Sequence, residues 1–252
     1  MSKPWRQRSL DLRARTRSGT LAKRRGRPRK RGKHDPDHVT RPEVIARHPV
    51  HVVLRVTRDI ESLRTRHAYR AIRGAIATCA VRTAYRVIHA SLQSNHLHLL
   101  VEADDKRALS KGMQGFAISA AKRLNRELRR RRGAVFAFRY HATPITSPTQ
   151  ARNAIAYVLN NWRRHKNDAR SPYRIDPYSS ADQFHGWEIP HGYAPRREPL
   201  PCILPTSWLL TEGWTRLGRS APTRFPARTR RRDYGAGGSF ASMANTQSVI
   251  FS

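Results

Sequence analysis

The sequence predicts an α+β fold: a ferredoxin-like βαββαβ antiparallel sheet with one further helix after it. Three observations predict it. Four short runs rich in β-branched residues alternate with two long segments of helical apolar spacing. Two of those runs, 85–92 and 95–102, are parted only by the polar turn at Gln93-Ser94, and a third helical pattern follows the last run. The order β-α-β-β-α-β-α is that of the split βαβ arrangement. Its antiparallel sheet can cover one face with helices and leave the other for a substrate.

The first strand lies in Pro49-Val50-His51-Val52-Val53-Leu54-Arg55-Val56. Residues 63–83 set Tyr69, Ile72, Ile76 and Ala80 at helical spacing with arginines between them. A long amphipathic helix over 106–132 lines Leu109, Met113, Phe116, Ala120, Leu124 and Leu128 along one side, and Gly133 stops it. A fourth strand within 135–146 and a last helix over 149–166 complete a domain placed at 45–170. Beyond it the chain is rich in Pro, Gly and aromatics. A short helix at Trp208 to Leu217 fits an extension over 171–218 that packs on or beside the domain. Residues 219–252 lack periodicity and are expected to be a disordered tail.

Charge is the loudest feature of the composition: 50 Lys and Arg against 17 Asp and Glu, a formal +33. Such a field repels itself in the isolated chain and is relieved by a polyanion. Nucleic acid is the expected partner, because each neutralised phosphate releases counterions. No apolar run approaches the roughly 18 residues of a membrane span, and the basic N-terminus lacks the apolar stretch of a secretory signal. A cytoplasmic, nucleoid-associated protein is therefore expected, with no membrane partner. The only cysteines, Cys79 and Cys202, form no CxxC pair, which argues against a zinc site of the usual spacing and against a disulfide framework. Cys79 reads as a small core residue.

Residues 1–33 carry fourteen Lys or Arg and one acid, Asp11. The arm, bounded at 1–40, is expected to be disordered. Within it Arg25-Gly26-Arg27-Pro28-Arg29-Lys30 resembles the AT-hook, whose Arg-Gly-Arg-Pro core lies in narrow A·T-rich minor grooves. A generic basic arm is the alternative reading. Farther along, Arg123, Arg126, Arg129 and Arg130 form a basic strip, and Arg163 and Arg164 follow the last helix. With few acids to compensate them, these are read as phosphate contacts.

The most informative segment is Asn95-His96-Leu97-His98-Leu99-Leu100-Val101-Glu102. Alternate residues of a strand share a face, so Leu97, Leu99 and Val101 point toward the helices. His96, His98 and Glu102 point the other way. The two histidines, about 7 Å apart at their Cα atoms, can converge on one divalent cation. On the last helix Ile155, Val158, Leu159 and Trp162 form an apolar stripe from which Tyr157 projects by more than a right angle. Asn161, one turn on, shares its side. Two imidazoles and an amide oxygen could hold a cation with open positions for phosphate oxygens, beside a phenol able to attack phosphorus. Tyr140 competes as a nucleophile but sits in a strand-like run and reads as a packing or DNA-contact residue. His51 and His89, in strands without a spaced partner, read as structural or substrate-touching. Glu102 reads as a solvated rim carboxylate.

Over residues 48 to 217 the chain resembles the REP-associated tyrosine transposases, within the single-tyrosine HUH transposases. The resemblance rests on Asn95-His96-Leu97-His98-Leu99 after a strand turn and on Tyr157-Val158-Leu159-Asn160-Asn161 on a late helix. It extends to Gly112-Met113-Gln114-Gly115, Val135 to His141, Asp176-Pro177-Tyr178-Ser179-Ser180 and Thr206-Ser207-Trp208-Leu209-Leu210. The family often follows its asparagine with proline, where this chain has Trp162. The resemblance implies a ferredoxin-like fold, Mg2+ or Mn2+, and cleavage and rejoining of single-stranded DNA near hairpins formed by REP-like palindromes. It implies Tyr157 as the nucleophile and His96, His98 and Asn161 as metal ligands, in a monomer or homodimer. The absence of a second tyrosine three to five residues from Tyr157 argues against the two-tyrosine replication enzymes. A catalytically inactive DNA-binding protein derived from such an enzyme, and a generic RNA binder, stand as alternatives.

Overall fold

The computed structural model describes residues 42–129, 133–169, 171, 173–188 and 197–217. The expectations for the basic arm, including Arg25 and Arg27, for Arg130 and for the tail after 218 lie outside the described residues. The elements follow in the predicted order: β1 (Val50–Arg55), α1 (Arg66–Ala80), β2 (Tyr85–Leu92), β3 (His96–Ala103), α2 (Lys106–Glu127), β4 (His141–Pro144) and α3 (Pro148–Arg164). A short helix, α4 (Trp208–Thr211), and a 3-10 turn at Gly213–Leu217 stand where one helix was expected.

Local chemistry sets the helix limits. Thr65, Asp105 and Ser147 cap α1, α2 and α3, each side chain accepting from a backbone N–H three residues on. Pro148 occupies the first turn of α3, where its missing N–H costs nothing. α2 stops at Glu127, short of the expected 132. The Leu128 N–H folds back on the Leu124 and Arg126 carbonyls, and Arg129 takes a left-handed φ of 53°. That closes the helix before Gly133 is reached.

The sheet order is β2-β3-β1-β4, with every neighbouring pair antiparallel, as the ferredoxin-like reading requires. Strand alternation divides the interior into two apolar clusters. On one face Val50, Val52, Leu54, Leu97, Leu99 and Val101 pack with α1 and α2, including Ile72, Ile76, Met113, Phe116 and Leu124. On the other, Ile88 and Leu100 pack with Ile155, Val158 and Leu159 of α3. The extension joins this second cluster through Ile175, Phe184, Trp187, Leu209, Leu210 and Trp214. The second face is therefore not left open: α3 lies over β2 and β3, and Ile175, Ala181, Phe184, Trp187, Leu209, Leu210 and Trp214 pack with it. Trp187 and Trp214 are buried here, which settles their role as packing residues, whereas Trp208 stays 44% exposed beneath Arg216.

A bulge between Val87 and His89 shifts the β2–β3 register by one residue. Val87 keeps its place in the first cluster while Ile88 joins the second. An extra residue in one strand locally turns side chains that strict alternation would place elsewhere.

Gly112 lets α2 approach the sheet. A Cβ there would lie 2.1 Å from the Tyr85 ring, which is itself fully buried. Overpacking of this kind costs about 1–3 kcal/mol, so Gly112→Ala should lower the thermal midpoint by several degrees in a melt followed by circular dichroism. A midpoint equal to that of the wild type would show that Tyr85 can yield.

Candidate active site

β3 carries His96 and His98 on the face opposite α1 and α2, as its alternation predicts. His98 is buried; His96 is half-buried at the strand's start. Their Nε2 atoms are 2.9 Å apart. The Asn95 Oδ1 lies 2.7 Å from His96 Nδ1, so an Nδ1–H on His96 donates to the amide oxygen and the Nε2 lone pair faces His98.

β1 adds a residue that the sequence reading set aside. Val50, Val52 and Leu54 take the core side, so His51, Val53 and Arg55 share the histidine side. The register places Val53 opposite His98 and His51 opposite Leu100. His51 Nε2 comes to 3.1 Å from His98 Nδ1, with the rings stacked at 5.2 Å and 20°. Three imidazoles thus form a row, His96–His98–His51, in which His98 uses a different nitrogen toward each neighbour.

α3 supplies the phenol. Tyr157 leaves the apolar stripe and meets the row edge-on, its ring 5.3 Å from that of His98 and 5.7 Å from that of His51. His165, at the C-cap of the same helix, lies 5.3 Å from His96, ring to ring. Asn161 is fully buried, and neither atom of its amide has a hydrogen-bond partner among the described residues. A buried amide left unpaired costs roughly 1–3 kcal/mol, so an absent partner is implied.

Burial controls the protonation states. Desolvation, helped by the neighbouring His165 and Arg55, pushes His96 down to about 3. His51 falls to about 4 by desolvation and the nearness of His141. His98 lies well below the ordinary histidine range, through desolvation and then His96 and His51. All three are neutral at pH 7, the form in which imidazole binds a metal. Burial also raises the Tyr157 pKa, opposed by the Arg164 guanidinium, whose charge and hydrogen bond favour the phenolate. Arg164 lies 6.0 Å from the ring centroid.

The donor set can be tested against a hard divalent ion. Two nitrogens at right angles on an octahedral ion, with bonds of roughly 2.1 Å, sit about 3 Å apart; the two Nε2 atoms meet that spacing. Asn161 offers the uncommitted oxygen such an ion prefers. Among the described residues no group of three His, Cys, Asp or Glu side chains could hold a metal. That agrees with the row, since His51 touches His98 and not the space between His96 and His98. The two imidazoles fit such an ion, and Asn161 brings an unpaired buried amide on the helix that carries Tyr157.

Other expected contacts are not brought together. Arg123 lies over Gly74 on α1 and donates toward Ser119. With Arg126 and Arg129 it belongs to the α2 side of the sheet, across from the histidine row. Arg163 is committed to Asp168 at 3.0 Å and to the Arg174 carbonyl. Among the described residues, Arg164 is the basic residue named from the sequence that lies at the phenol. Tyr140 packs against the first cluster, away from the row.

Glu102 is a correction. It is 1% exposed rather than on a solvated rim. Its carboxylate accepts from Arg86 at 2.8 Å, from the Thr206 N–H and hydroxyl, and from the Ser207 N–H at 2.8 Å. Desolvation alone would raise its pKa, yet the Ser207 and Thr206 hydrogen bonds hold it lowered. Glu102 therefore pins the start of α4 to β3. No signal within β3 could have shown this, because every partner except Arg86 is about a hundred residues away in sequence.

His89, also away from the row, is buried against Phe184 with its Nδ1 3.2 Å from the Ser180 hydroxyl. Desolvation lowers it to about 4. A histidine held neutral by burial contributes stability that is present above the unfolded pKa of about 6.5 and lost as pH falls toward the folded value. Thermal midpoints should therefore drop between pH 6.5 and 4, and His89→Gln should flatten that slope. An unchanged slope in the variant would remove His89 from the account.

The fold and the site define an antiparallel α+β domain that sets a tyrosine against a row of neutral imidazoles. Comparison supplies a likeness: residues 45–161 match the family model described as transposase IS200 like. Solved structures that match include a REP-associated tyrosine transposase bound to a REP hairpin, at 14% identity and a TM-score of 0.42 over 52% of this chain and 74% of that one. A candidate transposase of Deinococcus radiodurans R1 matches at 11% identity and a TM-score of 0.34, over 54% and 96% of the two chains. No curated protein matches. No described helix is long and apolar enough to cross a membrane.

Proposed function

We propose that the protein is a metal-dependent single-stranded DNA transposase that cuts and rejoins DNA near hairpins through a covalent phosphotyrosine. The observation that carries this reading is Tyr157 edge-on to His98, off its helix's apolar stripe, with Arg164 beside the phenol. The match of residues 45–161 to the IS200-like transposase model supports strand transfer as the reaction class. The hairpin substrate follows from the motif resemblance around Asn95–Leu99 and Tyr157–Asn161.

His96, His98 and Asn161 would hold Mg2+ or Mn2+, which acts as a Lewis acid on a scissile phosphate when bound. The chain's own residues do the rest. Arg164 draws the phenol toward its ionised form against the opposing effect of burial. The Tyr157 oxygen then forms a bond to phosphorus as the bond to one DNA oxygen breaks, leaving a DNA hydroxyl. Attack of a hydroxyl on the phosphotyrosine reverses the step and rejoins the strand.

Incubation with Mg2+ and a hairpin-bearing single strand should yield a cleaved product and a protein–DNA adduct that survives denaturing electrophoresis. The double variant His96→Ala with His98→Ala should lose both while retaining much of its DNA affinity. That affinity should fall with salt at a log-log slope near −0.7 per neutralised phosphate. Tight binding of hairpin DNA without any adduct from the wild type would identify a non-catalytic binding protein instead.

A further inference from the structure

We infer that His51 is a positioning residue that selects the tautomer of His98: its Nε2 accepts the His98 Nδ1–H and so frees the His98 Nε2 lone pair for a divalent cation shared with His96. The inference rests on the metal site proposed above.

A neutral imidazole has one N–H and one lone pair. His96 commits its Nδ1–H to Asn95 Oδ1 at 2.7 Å, so its lone pair is on Nε2. The His98 Nε2 sits 2.9 Å from that lone pair. Without a cation, a proton on His98 Nε2 fills the gap as a donor. A cation needs both lone pairs, so the His98 proton must then reside on Nδ1. There it requires an acceptor within reach, and His51 Nε2 stands 3.1 Å away, in a ring stacked on that of His98. The exchange leaves both rings neutral, with the His51 proton on its own Nδ1. His98 is only 2% exposed, so an Nδ1–H without a partner would be costly there. Outer-shell hydrogen bonds of this type fix the orientation and tautomer of a ligating histidine and affect metal affinity by about 10–100-fold.

The test uses the full chain and Mn2+ as the affinity probe, followed by electron paramagnetic resonance of the free ion. His51→Phe keeps a buried ring and removes the acceptor; His51→Gln restores an acceptor through its amide oxygen. We expect His51→Phe to weaken Mn2+ binding by about 10–100-fold and His51→Gln to recover most of the loss, with thermal midpoints of the two variants alike. Long-range 1H–15N correlation spectra of the Mg2+-saturated, histidine-labelled wild type should place the His98 proton on Nδ1, and this measurement needs no variant to fold. Wild-type Mn2+ affinity in His51→Phe, or a His98 proton on Nε2 in the Mg2+-saturated protein, would overturn the role of His51 while leaving the metal site intact. Failure of the wild type to bind Mn2+ at all would overturn the metal site, and this inference with it.

Discussion

Tyr157→Phe should abolish the covalent adduct and strand cleavage, by about 10⁴-fold or more if the nucleophile acts as one unit with the metal site, while leaving hairpin binding within about twofold. The substitution removes one oxygen from a half-buried ring and preserves its edge-on contacts with His98 and His51. The loss should therefore appear in single-turnover cleavage rates and not in the melting temperature. Tyr140→Phe is the control, because Tyr140 packs with the first cluster, on the side of the sheet that α1 and α2 cover. Cleavage surviving in Tyr157→Phe would mean that another group attacks phosphorus.

Asp176→Ala should have the largest effect on stability. Asp176 is 1% exposed and accepts two bonds from Arg64, at 2.8 and 3.0 Å, and one from the Tyr178 N–H at 2.9 Å. Burial raises its pKa more than the Arg64 guanidinium and the Tyr178 N–H lower it. Arg64 itself also donates to the Leu92 carbonyl at the end of β2. Removing the carboxylate strands a largely buried guanidinium, which costs about 3–5 kcal/mol. For a domain of this size that corresponds to a fall of about 10 °C in melting temperature. Asp176→Asn, which keeps the shape and one acceptor, should fall by less. Equal melting temperatures for the wild type and Asp176→Ala in calorimetry would show that the ion pair is not what holds the extension.

Both predictions bear on how far sequence reasoning reaches. Tyr157 could be found because helical periodicity is local: Ile155, Val158, Leu159 and Trp162 define a stripe, and a tyrosine outside it needs another explanation. His96 and His98 could be found because period-two alternation put them opposite Leu97 and Leu99. Asn161 was legible as a neighbour of Tyr157 one turn on, but its burial without partners was not. Asp176 and its neighbours stood out as a motif, yet nothing in that motif pointed to Arg64, 112 residues earlier.

The failures share one cause. Glu102 looked like a rim residue because strand alternation says which face a side chain takes, not what covers that face. Coverage came from residues 206–207, which fold back onto β3. His51 was set aside because its partner is 47 residues away. The ferredoxin-like order makes β1 and β3 neighbours, so an acceptor beside His98 could be anticipated from topology, but not which residue it would be.

By itself the sequence determined the element order, the faces of His96, Leu97, His98 and Leu99 and the off-stripe tyrosine, all consequences of backbone geometry over a few residues. Only the tertiary structure decided the β1–β3 register, the β2 bulge, the covering of the second sheet face and the row from His96 through His98 to His51. These depend on which distant surfaces bury most apolar area together, and on hydrogen bonds whose partners meet only after that burial has occurred.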